Sequence, residues 1–290
     1  MRAKKWQIGA FLLPSIALFI LIYLIPMVIV FVTSFFDWKA GGIFRFVGLK
    51  NYIQGFTADA RLLKAGTNTI IWVLLQSFVH VGIGTLLAFG LAKMKRGSKV
   101  LRTIYMLPNV ISAAALGVIF LNVFNSSYGL LNSLLSAITG KTWTKNWLFD
   151  TNSAFITVTC TWLLFTGMIV ILVTAGIMSI PSDVVEAARI DGATDFQVNV
   201  RIKLPLLRNI LGTSVILAAT SMLKEFELIY LTTNGGPGDM TINLPLYLYK
   251  TSLTDNNYGY ANMISVVLII AGVLAVAFIN KAFRMDESDL

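Results

Sequence analysis

Six stretches of this chain are apolar over lengths that match the thickness of a lipid bilayer, and almost no charged side chain interrupts them. They fall at residues 8–36, 65–92, 103–124, 154–180, 206–231 and 261–282. A helix needs about 20 apolar residues to cross the hydrocarbon core, and six such runs are far more than the interior of a soluble domain of this size holds. The first run is preceded by Arg2, Lys4 and Lys5. It is longer than the roughly 7–15 apolar residues of a cleavable leader, and no small-x-small cleavage site follows it, so it reads as an uncleaved span. Pro14 and Pro26 are expected to kink it.

Composition agrees with a membrane protein. Charged residues make up 13% of the chain and hydrophobic ones 56%, with a mean hydropathy of +0.76, whereas soluble domains average about 25% charged residues. This disfavours both a disordered chain and a cytosolic enzyme. The net charge of +9 is read as a record of membrane orientation rather than of a nucleic-acid partner. Six spans place both termini on one side. Fourteen Lys and Arg residues fall in the N-terminus, the 93–102 connection, the 189–208 connection and the C-terminus, against eight in the other three loops. Both termini are therefore expected in the cytoplasm.

Reactive chemistry is missing from the sequence. A single cysteine, Cys160, excludes an intrachain disulfide and is read as a small buried hydrophobe. His80 is the only histidine, which leaves no histidine-rich metal site, and a structural role is expected for it. Gly140-Lys141-Thr142 imitates the end of a phosphate loop, but Leu135 stands where the first glycine is required. Gly235-Gly236-Pro237-Gly238 reads as a turn. No nucleophile, base and orienting group come together, so no catalytic residue, metal or cofactor is assigned to this chain.

The most informative segment is the loop at residues 181–205. Pro181 ends the fourth span. Asp183 is expected to cap a short helix with Glu186 as its reciprocal partner, and Gly192 to close that helix in a left-handed conformation. Thr194 and Gln197 repeat the capping-box spacing, and Pro205 suits the first turn of the fifth span. Ala187 and Ala188 are expected to offer a flat surface to a second protein. A helix of about nine residues outside the membrane is marginal alone.

Glu186-Ala187-Ala188, then Gly192, then Ile202-x-Leu204-Pro205 resembles the EAA signature of ABC importer permeases. The resemblance extends along the chain through Phe11-Leu12-Leu13-Pro14, Phe46-Val47-Gly48-Leu49-Lys50-Asn51-Tyr52, Arg102-Thr103-Ile104-Tyr105-Met106-Leu107-Pro108 and Tyr128-Gly129-Leu130-Leu131-Asn132. It narrows to the permeases of carbohydrate uptake, similar to the first membrane subunit of maltose and glycerol-3-phosphate importers. The resemblance implies an all-α, six-helix transmembrane domain of the type I importer class, occupying residues 1–290 as one domain, in a bacterial or archaeal plasma membrane. It implies as partners a second permease, two ATP-binding subunits that hold ATP and magnesium, and an extracytoplasmic solute-binding protein. In that family the 181–205 loop carries the coupling helix, which assigns ATPase coupling to Glu186, Ala187, Ala188, Asp191 and Gly192.

Lys224, Glu225 and Glu227 lie in the fifth span, where ionisable groups are costly and face a cavity, a partner or one another. On a continuous helix Lys224 and Glu227 could pair, with Glu225 turned toward the stripe of Ser221. A path for sugars needs hydrogen-bonding groups beside aromatic platforms. The resemblance places the path on the helices flanking the loop, giving Thr161, Phe165, Ser221, Lys224, Glu225 and Glu227 as candidates. The alternative for the three charges is a link to the partner permease. Alternatives for the whole chain are an ion-coupled secondary transporter or channel, and an ABC permease for a non-sugar solute such as glycerol phosphate.

Overall fold

The computed structural model describes residues 5–42, 44–94 and 96–285, so Arg2 and Lys4 of the basic N-terminus lie outside the described residues. Among the described residues the regular structure is helical apart from one short ladder and an isolated bridge between Lys39 and Asn257. Helices α1 (Lys5–Phe19) and α2 (Ile25–Thr33) are joined by a wide turn at Ile20–Leu24, and strands β1 (Phe36–Asp37) and β2 (Arg45–Phe46) pair antiparallel. Next come α3 (Lys50–Ala58), α4 (Ala60–Leu75), a wide turn at Gln76–His80, α5 (Val81–Lys93), α6 (Ser98–Val110), α7 (Ala113–Val123) and α8 (Leu130–Thr139). Helix α9 (Ala154–Thr161) passes through a tight turn, Trp162–Phe165, into α10 (Gly167–Ser179), which precedes α11 (Ser182–Ile190) and α12 (Asp195–Gln197). A wide turn at Val198–Lys203 then leads through α13 (Leu204–Leu206) to α14 (Arg208–Met222) and α15 (Glu227–Thr232), and the chain finishes with α16 (Leu244–Tyr249) and α17 (Tyr258–Ala282).

Three continuous helical stretches, Phe11–Thr33, Ala60–Lys93 and Tyr258–Ala282, are long and apolar enough to cross a membrane. Three bent pairs complete six spans if each pair is one crossing. The 103–124 run, expected as one helix, is broken between α6 and α7 by a 99° bend. Ile111 is extended there, and Ser112 caps α7 by accepting from the Ala115 N–H at 3.3 Å. In the first span Pro14 is carried inside α1, and Pro26 opens α2 directly after the wide Ile20–Leu24 turn, which absorbs the hydrogen bond that proline cannot make.

The chain divides into two compact units. One holds residues 1–62 and 247–270. Its centre is Asp59, whose Oδ1 accepts from the Arg61 and Leu62 N–H groups at 3.0 Å each and caps α4, while Oδ2 accepts from the Tyr247 and Tyr260 hydroxyls at 2.6 Å each. Burial pushes this carboxyl up, but the two phenols and two backbone donors outweigh it and hold Asp59 below the ordinary carboxylate value. Side chains of the first span are almost all exposed: only 6% of its apolar window is buried. Phe11, Leu13, Leu21 and Phe31 would form an unsupportable patch in water, and lipid or a partner subunit must cover them.

The other unit holds residues 63–246 and 271–290. Its core joins α5, α10 and α14 through Val81, Ala88, Ile169, Val173, Ile177, Leu207 and Ala218. Small residues set the helix spacing. A methyl group added at Gly167 would lie 2.2 Å from the Tyr105 carbonyl oxygen, so the α10 backbone runs directly against α6. Trp72 is fully buried, donates to Thr159 Oγ1 at 2.9 Å and stacks on Phe155. Cys160 corrects the expectation of burial. Trp162 and Thr161 take the inward positions, and the neighbouring thiol is exposed on the opposite face, where its weak polarity suits lipid or a partner helix.

Candidate functional site

Four departures from regular α-helix converge on one cavity of about 400 Å³ within the second unit. The wide turn after α4 contributes Gln76 and His80, and the α6–α7 break contributes Asn109 and Ile111. The tight turn after α9 supplies Trp162 and Phe165, and the end of α14 supplies Ser221, Met222 and Glu225. Irregular backbone at membrane depth is tolerated where it is buried in protein or lines a polar cavity, so the clustering of all four breaks marks this volume as the place where the helices have been shaped for something other than packing.

The fifth-span charges do not sit on one continuous helix. The helix ends at Met222 and restarts at Glu227, which removes the spacing that would have paired Lys224 with Glu227, and no ion pair joins them among the described residues. The break has its own supports. Glu225 Oε1 accepts from the Leu228 N–H at 3.1 Å and caps α15, and the Asn243 amide donates to the Glu225 carbonyl. Glu225, Ser221 and Phe165 line the cavity, whereas Thr161, Lys224 and Glu227 do not. The Thr161 hydroxyl donates to the Val158 carbonyl at 2.6 Å and is fully buried. Two lining residues carry polar atoms that have no partner among the described residues, His80 Nδ1 and Trp162 Nε1. His80, expected to be structural, is 7% exposed and belongs to the cavity wall. Gln76 and Asn109 are not singled out by the sequence, although each is a carboxamide inside one of the apolar runs, at 65–92 and 103–124.

The 181–205 loop forms the second constellation. Its first helix is α11, which starts at Ser182 directly after Pro181 with no side-chain cap. The expected Asp183 capping box is therefore absent, because Asp183 already lies inside the first turn, where its charge favours the helix N-terminus without a cap bond. The C-terminal expectation holds. Gly192 has φ +85°, the Ala193 N–H bonds the Ala188 carbonyl at 2.9 Å, and the Gly192 N–H bonds the Arg189 carbonyl at 3.1 Å, which together make a Schellman closure. Thr194 and Gln197 form the reciprocal capping box. Glu186, Ala187, Asp191 and Gly192 face outward. Ala188 corrects the expectation of a two-alanine surface, since it is buried and packs inward.

Asp195, not singled out from the sequence, holds this loop to the rest of the unit. Its carboxylate takes Lys93 at the end of α5 at 3.0 Å and Arg189 of α11 at 3.2 Å. Hydrogen bonding and charge from Lys93, then from Arg189, hold its carboxyl below the ordinary value. Beside it Ile190 is 86% exposed and Phe196 73%. Large apolar side chains so presented, rimmed by Glu186, Asp191 and Arg189, have the makeup of a protein-docking face. Among the described residues no three His, Cys, Asp or Glu side chains gather as a metal site. Gly140 closes α8 at φ +65° and opens no phosphate cradle.

A membrane domain with a shaped cavity and an exposed helix between two spans is the architecture of a transport subunit. The chain belongs to the family of binding-protein-dependent transport system inner membrane components, whose model matches residues 80–284, and it is a multi-pass membrane permease subunit of an ABC importer. It is 32% identical to the probable ABC transporter permease protein YurN of Bacillus subtilis over 96% of each chain. It is also 32% identical to the multiple sugar-binding transport system permease protein MsmF of Streptococcus mutans, over 98% of this chain and 97% of that one. The trehalose/maltose transport system permease protein MalF of Thermococcus litoralis is 32% identical over 83% and 81% of the two chains. A crystal structure of a bacterial alginate ABC transporter, in complex with an alginate pentasaccharide-bound periplasmic protein, contains a chain of the same fold. That match has a TM-score of 0.83 at 23% identity, covering 98% of this chain and 96% of that one. Family membership sets aside the ion-coupled secondary transporter.

Proposed function

We propose that this permease passes a sugar or oligosaccharide through the cavity between its broken helices, together with a second permease, and takes its drive from two ATP-binding subunits that hold ATP and magnesium. An extracytoplasmic solute-binding protein delivers the substrate. Both termini and the 181–205 loop face the cytoplasm of a bacterial or archaeal cell, and residues 1–290 act as one permease domain that performs no hydrolysis itself. The relatives named for sugars, trehalose and maltose support the substrate class. The observation that carries the reading is the cavity wall, where Phe165 and Trp162 offer aromatic surface beside Ser221, Glu225, Gln76 and Asn109. Sugars present hydroxyls and apolar ring faces, and that combination matches both.

In this reading Glu225 accepts a substrate hydroxyl, while Thr161, Lys224 and Glu227 support the helices around the path or face the partner permease. Glu186, Ala187, Asp191 and Gly192 form the surface that fits an ATP-binding subunit, with Ala188 fixing the helix from behind. Closure of the ATP-binding pair would move α11 and, through Asp195 and Lys93, the end of α5. The test is uptake by proteoliposomes holding the complete importer. Glu225→Ala is expected to lower uptake at least about tenfold while the complex still assembles and hydrolyses ATP. Near-normal uptake by that variant would remove the cavity from the path.

A further inference from the structure

Among the described residues, this chain's wall of the cavity carries one kind of charge only. Its wall includes the Glu225 carboxylate and no lysine or arginine. Glu225 Oε1 is engaged by the Leu228 N–H, whereas Oε2 has no hydrogen-bond partner among the described residues. The remaining polar side chains of the wall, Gln76, Asn109, Ser221, His80 and Trp162, bring no fixed positive charge, and Lys224 lies off the lining although it is adjacent in sequence. An anion entering such a space meets the Glu225 carboxylate and, among the described lining residues, no lysine or arginine to pair with. Rings or points of fixed charge in narrow membrane pathways select ions by this means.

We propose that the cavity is a charge filter that admits neutral and amino-bearing saccharides and refuses anionic ones, uronates and sugar or glycerol phosphates alike, with Glu225 as the residue that refuses. The filter adds a selection step inside the membrane to whatever the binding protein selects outside. It rests on the reading of the cavity as the substrate path, and it predicts that this chain does not serve the import of an acidic polysaccharide. It also turns the choice between sugar and glycerol phosphate into a question about one side chain.

The experiment reads the cavity's charge without relying on the binding protein's preferences. In the complete importer Cys160 is replaced by Ser and Ser221 by Cys, and the new thiol is reacted with a cationic and an anionic methanethiosulfonate of similar size. The cationic reagent is expected to be favoured by at least about tenfold over the ratio the two show on a free thiol in solution. Glu225→Gln is expected to return the ratio to that solution value. A ratio equal to the solution value in the cavity that keeps Glu225, or one unchanged by Glu225→Gln, overturns the filter. A second arm adds maltotriose as the probe saccharide to the same Cys160→Ser, Ser221→Cys importer, and sugar entering the cavity should slow both reagents. If the charge preference is present but neither maltotriose nor other neutral oligosaccharides protect the thiol, the cavity's charge preference stands while the substrate-path reading fails, and the selection among saccharides is overturned with it.

Discussion

Substituting Gly167 with alanine should damage this fold far more than its single added methyl suggests. The Cβ would lie 2.2 Å from the Tyr105 carbonyl oxygen, 2.7 Å from the Tyr105 carbonyl carbon and 3.0 Å from Met106 Cα. An ordinary contact begins at 3.4 Å, so α10 must withdraw from α6 by about 1.2 Å, the difference between 3.4 and 2.2. The obstacle is backbone held within a helix and has no rotamer by which to yield. Overpacking of this kind costs about 1–3 kcal/mol, and more where backbone must move, which is a factor of about 30 in the folded ratio at 2 kcal/mol. Gly82 of α5 is the matched control, because nothing lies within 4 Å of a Cβ there. Gly82→Ala should be neutral or stabilising by about 0.5–1 kcal/mol through reduced chain entropy. Thermal unfolding of the purified complex in nanodiscs should therefore fall by about 5 °C or more for Gly167→Ala and hold or rise for Gly82→Ala. Equal melting temperatures for the two variants would refute the close α6–α10 crossing.

Glu186→Lys should separate ATP hydrolysis from uptake by reversing the charge of the exposed α11 face, read as the ratio of sugar imported to ATP consumed; an unchanged ratio with an intact complex defeats the docking assignment. Asp195→Asn should lower the same ratio with little loss of assembly, because the link from Lys93 to Arg189 is weakened on an exposed surface. A carboxyl held below its usual value keeps its linkage above the ordinary carboxylate pKa and loses it only as pH falls through the lowered one. The coupling ratio should thus be level from about pH 5 to 8, and a loss of coupling centred near neutrality would contradict the role of Asp195. Asp59→Asn should destabilise the 1–62 and 247–270 unit by about 2 kcal/mol or more, since two phenols and two backbone N–H groups lose a charged acceptor, and proteolysis within that unit should quicken at neutral pH. With the sign of a lowered carboxyl, the wild-type protein should lose this protection only in acid.

The six apolar runs were legible because hydrophobicity over 20 residues is a one-dimensional signal. So were the Gly192 closure and the Thr194–Gln197 box, which depend on residues three or four positions apart. The break at 223–226 was not. A run with Lys224 and Glu225 at its middle reads as a continuous span with costly charges, and the helix stops there because Glu225 caps α15 and Asn243, distant in sequence, holds the Glu225 carbonyl. The 99° bend at Ile111–Ser112 was hidden for a related reason, since the serine that caps α7 looks like any small polar residue in an apolar stretch. Ala188 and Cys160 went the opposite way from expectation because one sequence does not tell which side of a helix has a neighbour. Asp195 reads in the sequence as one acidic residue among several; its meaning lies in Lys93, which the fold brings to it.

The central claim, that an exposed loop helix passes motion from ATP-binding subunits to a shaped cavity, is tested most directly in proteoliposomes holding the importer captured through this chain. ATP hydrolysis and uptake of a neutral oligosaccharide are measured together, with and without the solute-binding protein. The account predicts that both rates rise together when the binding protein and sugar are added, and that Glu186→Lys abolishes uptake before it abolishes hydrolysis. Uptake that proceeds without ATP-binding subunits, or that follows an ion gradient, would contradict it.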